Sequence, residues 1–461
     1  MPRKPRLVIV ANRLPVHRAG RGDSARWVQS TGGLVTALEP ILRERAGAWI
    51  GWTGSSGGPR PRSFMHNGLR IRPVPLTEHE VDVYYHQMCN RTFWPLFHDA
   101  IRTPDFDHSW WKPYVRVNER YARAAAAVAR RGDVVWVHDY HLMLVPRLLR
   151  RLRPDVRIGF FLHTPFPPEE LFAWLPWRNE VLLGLLGSDV VGFQTYASAQ
   201  NFSRACRDHT SADGTDTLLD FERRRVRVGS FPISIDFRWF DEHASTPAVV
   251  AEAQAIRRRI GATRKILLAV DRLDYTKGID ARLRAFELML RRGGASVQDC
   301  VLMQIAAPSR ELVREYAETR SRVEQLVGRI NGEYSVPGRV AVHYFRRNFT
   351  RDELLPYYRA ADAMVVTPLR DGMNLVAKEY VAARSNLGGV LVLSEFAGAA
   401  RELRRALLVN PRDLEGMSAV LEQAVKIPRT EARHRMAILR TVVRRHDVFV
   451  WAERFLEALG P

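Results

Sequence analysis

A two-part α/β architecture follows from three features of this sequence. Short β-branched apolar runs alternate with longer amphipathic stretches, the pattern restarts after Asp236, and 461 residues exceed what one ordinary core holds. In the first part the runs are RLVIVAN, DVVWVHD, RIGFFLH, DVVGFQT and RVRVGSFPISI. In the second they are KILLAVDR, CVLMQIAAP, VAVHYF, AMVVTP and GVLVLSEF, with helical stretches such as ARLRAFELMLRR between them. Strands alternating with helices predict parallel sheets joined by crossovers.

Two Rossmann-like domains with parallel sheets facing across a central cleft are therefore expected, over residues 1–235 and 236–440. The junction is PISIDFRWF, and residues 441–461 form a C-terminal helix able to pack back on either half. Ligands of open parallel sheets sit beyond the carboxyl ends of the strands, so the polar residues that follow each apolar run are the candidates.

Composition bounds the function. Apolar residues at 46% and charged residues at 26% are ordinary globular usage and argue against a disordered or fibrous chain. The net charge of +20 favours an acidic partner. The basic residues are spread through helical stretches such as AIRRRIGATRK and ILRTVVRRHD, as on solvated helix faces, which disfavours nucleic acid. Cys89, Cys206 and Cys300 are odd in number and widely spaced, which argues against disulfides and zinc and fits a reducing compartment. The apolar part of MPRKPRLVIVAN is too short for a signal peptide, and no run reaches membrane-spanning length. A cytoplasmic protein without a membrane partner is expected, and no helical stripe stands out as an oligomer interface, although a homo-oligomer is compatible with the sequence.

Gly20, Gly22 and Ala25 spell G-x-G-x-x-A well past the first strand, which fits a loop better than a dinucleotide fingerprint. Gly32 and Gly33 open a helical pattern, where backbone N–H groups suit a phosphate or a plain helix entry. Asp105 and Asp107 form a D-x-D with no strand before it, which fits a solvated loop. His138 with Asp139 ends one apolar run and His163 ends the next, where a cleft opens in such sheets.

Asp371, Gly372, Met373, Asn374, Leu375, Val376 and Glu379 lead from AMVVTP into a helix. Backbone donors there suit a diphosphate and Glu379 suits ribose hydroxyls, while the acids also suit helix capping. Arg272 and Lys277, in AVDRLDYTKG, are either ion-pair partners of Asp271 and Asp274 or a clamp for an anion. G-x-S-x-G, Walker A and H-E-x-x-H are absent, which removes support for hydrolase, P-loop and zinc-protease chemistry. Sugar transfer from a nucleotide donor uses the parts that remain.

The segments VIVANRLPV, WIGWTG, FWPLFHD, VWVHDYHLMLVP, IGFFLHTPFPPEELF, LPWRNEVLLGLLGSDVVGFQT, DRLDYTKGI and TPLRDGMNLVAKEYVAAR resemble, in order over nearly the whole chain, the trehalose-6-phosphate synthase family. The resemblance implies a retaining glycosyltransferase of the GT-B fold that joins glucose from a nucleotide sugar to glucose 6-phosphate, with no metal or other cofactor. It assigns Arg272, Lys277 and Gly33 to the donor diphosphate, Glu379 to its ribose, and Met373, Asn374, Leu375 and Val376 to the donor. Asp371 and His163 then touch the transferred sugar. Arg13, Tyr85, Trp94 and Arg310 would hold the acceptor's phosphate, and Trp49 and Asp139 would face its sugar ring. His163, Asp139, Arg272, Lys277 and Asp371 form the catalytic set that it implies.

Two positions depart from the family pattern: Ser234 stands where glycine is usual and Gln194 where histidine is common. Relatives that use another phosphorylated acceptor or a cyclitol, and a non-catalytic sugar-phosphate sensor, are the alternative readings. UDP-glucose and GDP-glucose both remain open as donors.

Overall fold

The computed structural model describes residues 5–19, 26–29, 47–56, 62–310 and 313–460, together with Val35, Leu38 and Leu42. The chain divides into two compact units, Met1–Ile233 with Phe449–Pro461, and Ser234–Val448. The second unit thus extends beyond residue 440. The reason lies in the helix Arg429–Arg445: buried Arg440 bonds the carbonyls of Val381 and Ala382 and pairs with Asp241 at 2.6 Å, all within that unit.

In the first unit, among the described residues, ten strands form one sheet. Its parallel centre runs Arg224–Ser230, Val190–Phe193, Arg157–Phe161, Val134–His138, Leu7–Arg13, Ala48–Trp52 and Leu69–Pro73 in spatial order. Antiparallel pieces cover both edges. Chain order reverses between Leu7–Arg13 and Val134–His138, so the crevice of a doubly wound sheet opens where Arg13 and His138 end their strands.

The C-terminal helix Val448–Ala458 belongs almost wholly to this unit. Its Phe455 ring stacks on Trp136 at 4.3 Å, and Trp451 Nε1 donates to the Phe231 carbonyl at 3.0 Å. A Cβ at Gly159 or Gly192 would lie 2.6 Å from the Phe455 ring, so two strand glycines make the seat of that ring. Burying a phenylalanine there contributes about 2–3 kcal/mol.

The second unit holds a six-stranded sheet among the described residues, and every pairing in it is parallel. In spatial order the strands are Val342–Phe345, Cys300–Ala307, Lys265–Arg272, Ala363–Val366, Val390–Ser394 and Leu407–Val409. Numbered within the unit this is 3-2-1-4-5-6, the doubly wound dinucleotide-fold order, with its switch point between Lys265–Arg272 and Ala363–Val366. The four inner strands are largely buried on both faces, which explains their near-continuous apolar runs.

Several local expectations are refined. RVRVGSFPISI is strand only to Ser230. Gln194, buried, accepts from the Ile233 amide at 3.0 Å, and the hydroxyl of Ser234 is buried. The segment Val81–Phe93 is a 13-residue π-helix, for which the sequence carries no periodic signal. The three cysteines are buried and form no disulfide. Among the described residues, no helix is long and apolar enough to cross a membrane.

Candidate functional site

Several of the residues singled out from the sequence lie at or just after strand ends: Arg13, His138, Asp139 and His163 in the first unit, Arg272 in the second. In the first unit, Arg13 is the last residue of its strand and is exposed. Its guanidinium lies over the Trp52 ring at 4.1 Å and the Tyr85 ring at 5.4 Å. A side chain at Gly54, where φ is +94°, would come within 1.9 Å of Arg13 Nη1, so that glycine gives the guanidinium its space.

Tyr85 comes from the π-helix, and its ring also stacks on His141 at 5.9 Å. Trp94 follows that helix, is 5% exposed, and packs on His98 at 4.1 Å and Tyr140 at 5.9 Å. Trp49, expected against the acceptor's sugar ring, is only 1% exposed, and its Nε1 donates to the Arg13 carbonyl at 2.9 Å. It braces the strand end that carries Arg13, while Trp52 presents the ring under the cation. Strand alternation separates these two tryptophans, an odd and an even position, and is the signal that distinguishes them.

Asp139 has φ +75° and ψ 165°, a region that residues with a side chain rarely occupy. Its carboxylate accepts from the His163 amide at 3.2 Å and lies 3.8 Å from His141 Nδ1. His163 Nε2 sits 3.1 Å from His138 Nδ1. Burial pushes the His163 imidazole down to about 3 and holds His138 well below the usual histidine range, with His163 adding to the second effect. Both rings are neutral at physiological pH.

In the second unit, Arg272 ends the first strand of the sheet and is exposed. Lys277 follows in the single turn Tyr275–Lys277 and is 8% exposed. Gly278 closes that turn with φ +62°, and a Cβ there would meet the Thr367 carbonyl at 2.4 Å. The Leu369 amide donates to the Thr276 carbonyl at 2.8 Å, joining this turn to the loop after Ala363–Val366. Lys277 Nζ donates to Asp371 Oδ2 at 2.6 Å across that junction.

The neighbouring acids have other partners than the sequence suggests. Asp271 takes the fully buried Arg282 at 2.5 Å, and Arg282 also bonds Gln304 at 2.7 Å and Thr367 at 3.0 Å. Asp274, with no exposed surface, accepts from Thr276 N and Oγ1 and from the Tyr316 hydroxyl at 3.1 Å, with Arg310 Nη1 at 3.9 Å. Burial alone would raise the Asp274 carboxyl, but Arg310, Arg272 and Lys277 outweigh it and hold the group below its ordinary range. Arg310 itself has φ +48° and donates to the Tyr316 hydroxyl at 2.5 Å.

Asn374, at φ +80°, caps the helix Leu375–Ala383 by accepting from Ala377 N, and its Nδ2 donates to Asp371 at 3.1 Å. Met373 is buried, and Leu375 and Val376 form the first helical turn, half-buried. Glu379, one turn on, accepts from the Tyr358 hydroxyl at 2.8 Å. Burial raises its carboxyl above the ordinary range, and Tyr358 and Arg351 only partly offset this. Sequence reasoning named Asp274 only as an ion-pair partner of the cations, and it missed Trp52, Arg282, Tyr316 and Tyr358, which help to hold the expected residues in place.

Gly20, Gly22, Ala25, Gly32 and Gly33 lie outside the described residues. Asp105 pairs with Arg91 at 2.8 Å, and Asp107 caps the helix His108–Val128 through Ser109 N. Among the described residues, no group of three or more His, Cys, Asp or Glu side chains is arranged to hold a metal ion.

Each unit therefore concentrates cations, strained backbone and buried polar groups at its switch point. Residues 5–460 match the family model described as glycosyltransferase family 20. The trehalose-6-phosphate synthase of Mycolicibacterium gilvum is 50% identical, over 99% of this chain and 94% of that protein. A structure from E. coli described as trehalose-6-phosphate bound with UDP-2-fluoro glucose superposes with a TM-score of 0.91 at 34% identity, covering 98% of each chain. The UDP-forming α,α-trehalose-phosphate synthase of Burkholderia xenovorans, solved with glucose-6-phosphate, gives 0.90 at 34% identity, over 99% of this chain and 100% of that one. The fold is GT-B, and the chain belongs to glycosyltransferase family 20 and is a glycosyltransferase.

Proposed function

We propose that this enzyme forms trehalose 6-phosphate by transferring glucose, with retention, from a nucleotide-glucose donor to glucose 6-phosphate. One observation carries the reading: Arg272 ends and Lys277 follows one strand of the switch point, and Asp371 through Glu379 follow the other. Relatives of this length, named for the same product and solved with UDP-2-fluoro glucose and with glucose-6-phosphate, support the substrates. They favour UDP-glucose over GDP-glucose as the donor.

In this reading Arg272 and Lys277 receive the donor diphosphate, to which the family resemblance also assigns Gly33. Glu379 takes the ribose hydroxyls, and Met373 to Val376 contact the donor. Arg13, Tyr85, Trp94 and Arg310 each serve the acceptor phosphate, and Asp139 its sugar ring. Trp49 acts through Arg13, as its hydrogen bond to the Arg13 carbonyl supports.

Cleavage of the anomeric bond leads the reaction. Negative charge grows on the leaving diphosphate, and Arg272 with Lys277 stabilises it without calling on a metal ion. The leaving phosphate takes the proton of the acceptor hydroxyl as that oxygen attacks the same face. Asp371 and neutral His163 orient the transferred sugar. The test offers UDP-, GDP- and ADP-glucose with glucose 6-phosphate and identifies the product by mass. A disaccharide phosphate from UDP-glucose is expected. Donor hydrolysis that needs no glucose 6-phosphate, with no disaccharide formed, would overturn the reading.

A further inference from the structure

His138 ends the strand Val134–His138 and has no exposed surface. Its Nδ1 lies 3.1 Å from Nε2 of His163, and the two rings stack at 5.3 Å between centroids. Its other nitrogen, Nε2, is buried and has no hydrogen-bond partner among the described residues. The rings packed on it, Trp136 at 4.8 Å and Phe161 at 6.5 Å, carry no acceptor.

A neutral imidazole has one N–H and one lone pair, so the pair can bond in two ways. If His163 donated from Nε2, His138 would have to keep its proton on Nε2, as a buried donor with nothing to receive it. Such an orphan costs roughly 1–3 kcal/mol, and orphaned donors are rarer than unused acceptors. If His138 donates from Nδ1 instead, only a lone pair is left unused. Burial keeps both rings neutral, so a shared cation does not offer a third arrangement.

We propose that His138 is a positioning residue: it fixes His163 as the tautomer protonated on Nδ1, making it a neutral donor toward the transferred sugar and closing its Nε2 as a base. The donor role rests on the reading above that His163 touches that sugar; the tautomer itself does not. With Nε2 occupied, the acceptor's proton has no route to that nitrogen, in keeping with its transfer to the leaving phosphate.

The test uses the intact protein labelled with ¹⁵N-histidine. Long-range ¹H–¹⁵N correlation separates the two tautomers, and the His138→Asn and His163→Gln variants assign the signals. Nδ1–H on both His138 and His163 is the expected result; Nε2–H on His163, or an imidazolium on either, overturns the proposal. Kinetics give a second reading. His138→Phe should lower kcat on the order of 10–100-fold with KM for both substrates little changed, and His138→Asn, which supplies an amide N–H, should restore most of that loss. Equal kcat for the two variants overturns the positioning role. If the tautomers are as expected but His163→Gln keeps full kcat, the sugar contact fails while the tautomer assignment stands.

Discussion

Lys277 Nζ lies 2.6 Å from Asp371 Oδ2, with both side chains largely buried, so the cation proposed for the donor diphosphate already has an anionic partner. The pair holds two loops of the switch point in register. It also sets a carboxylate where a diphosphate would approach. Replacing Asp371 by Asn keeps the shape and removes that charge. The variant should bind the free nucleoside diphosphate about tenfold tighter, a gain of about 1.4 kcal/mol, because a like charge in a partly buried site acts at low effective dielectric. Turnover should fall, since Asp371 is also assigned to the transferred sugar. Calorimetric titration with the nucleoside diphosphate decides the point, and weaker binding would show that Asp371 chiefly preorganises Lys277.

Glu379 gives the enzyme a predicted acid limb. Burial raises its carboxyl above the ordinary value of 4.5, against the hydrogen bond from Tyr358 and the charge of Arg351. A carboxyl raised on folding adds stability below the unfolded value and loses it as pH rises through the folded one. Glu379→Gln should therefore be more stable than the wild type at neutral pH, with the difference vanishing in acid. Function runs the other way. In the role proposed for it Glu379 accepts from ribose hydroxyls as the ionised group, so kcat/KM for the donor should fall as pH drops through the raised value. Tyr358→Phe removes a donor to the carboxylate and should move that limb to higher pH, which a pair of pH profiles will detect.

Asp139 occupies φ +75°, ψ 165°, a conformation that glycine tolerates and other residues rarely adopt, at a cost of roughly 1–3 kcal/mol. Ordinary positions favour Ala over Gly by roughly 0.5–1 kcal/mol. Here the order should invert. Both Asp139→Gly and Asp139→Ala lose the carboxylate that accepts from His163 N, and both should lose acceptor turnover. Asp139→Gly should nevertheless unfold at higher denaturant than Asp139→Ala, by about 1–2 kcal/mol. Equal stabilities would mean that the backbone relaxes and the strain serves no role.

Strand ends were legible because period and position alone specify them. A buried parallel strand is a short apolar run, and polar residues at or soon after its end, Asp139, His163, Arg272 and Asp371 among them, sit at the mouth by construction. What holds those residues was not legible. Arg282 lies in an amphipathic helix where an arginine ordinarily faces water, yet it is wholly buried. Only the fold brings Asp271, Gln304 and Thr367 from three adjacent strands and their ends around it. No periodic signal in the sequence marks the segment around Tyr85, and it is a π-helix that sets its ring beside Arg13. That Trp49 and Trp52 face opposite sides of their strand was readable from alternation, since the two lie three residues apart.

Arg282 provides the strictest test of how the second unit's site is supported. Its guanidinium reaches Asp271, Gln304 and Thr367, and Nη2 points at the Lys277 carbonyl at 3.5 Å. Arg282→Met leaves the Asp271 carboxylate buried without its cation, which costs about 3–5 kcal/mol. Pairing that change with Asp271→Leu removes the stranded charge as well and should recover most of the loss, since apolar replacement of a whole buried pair is often neutral. Stability and function then separate. The double variant should fold well but bind the donor poorly, because the turn that carries Lys277 has lost its tether. Urea unfolding of the two single variants and the double gives the coupling energy, and donor KM in the double variant gives the functional term. A double variant with normal stability and normal KM would show that the network supports the core and leaves the Lys277 turn to the Asp371 contact alone.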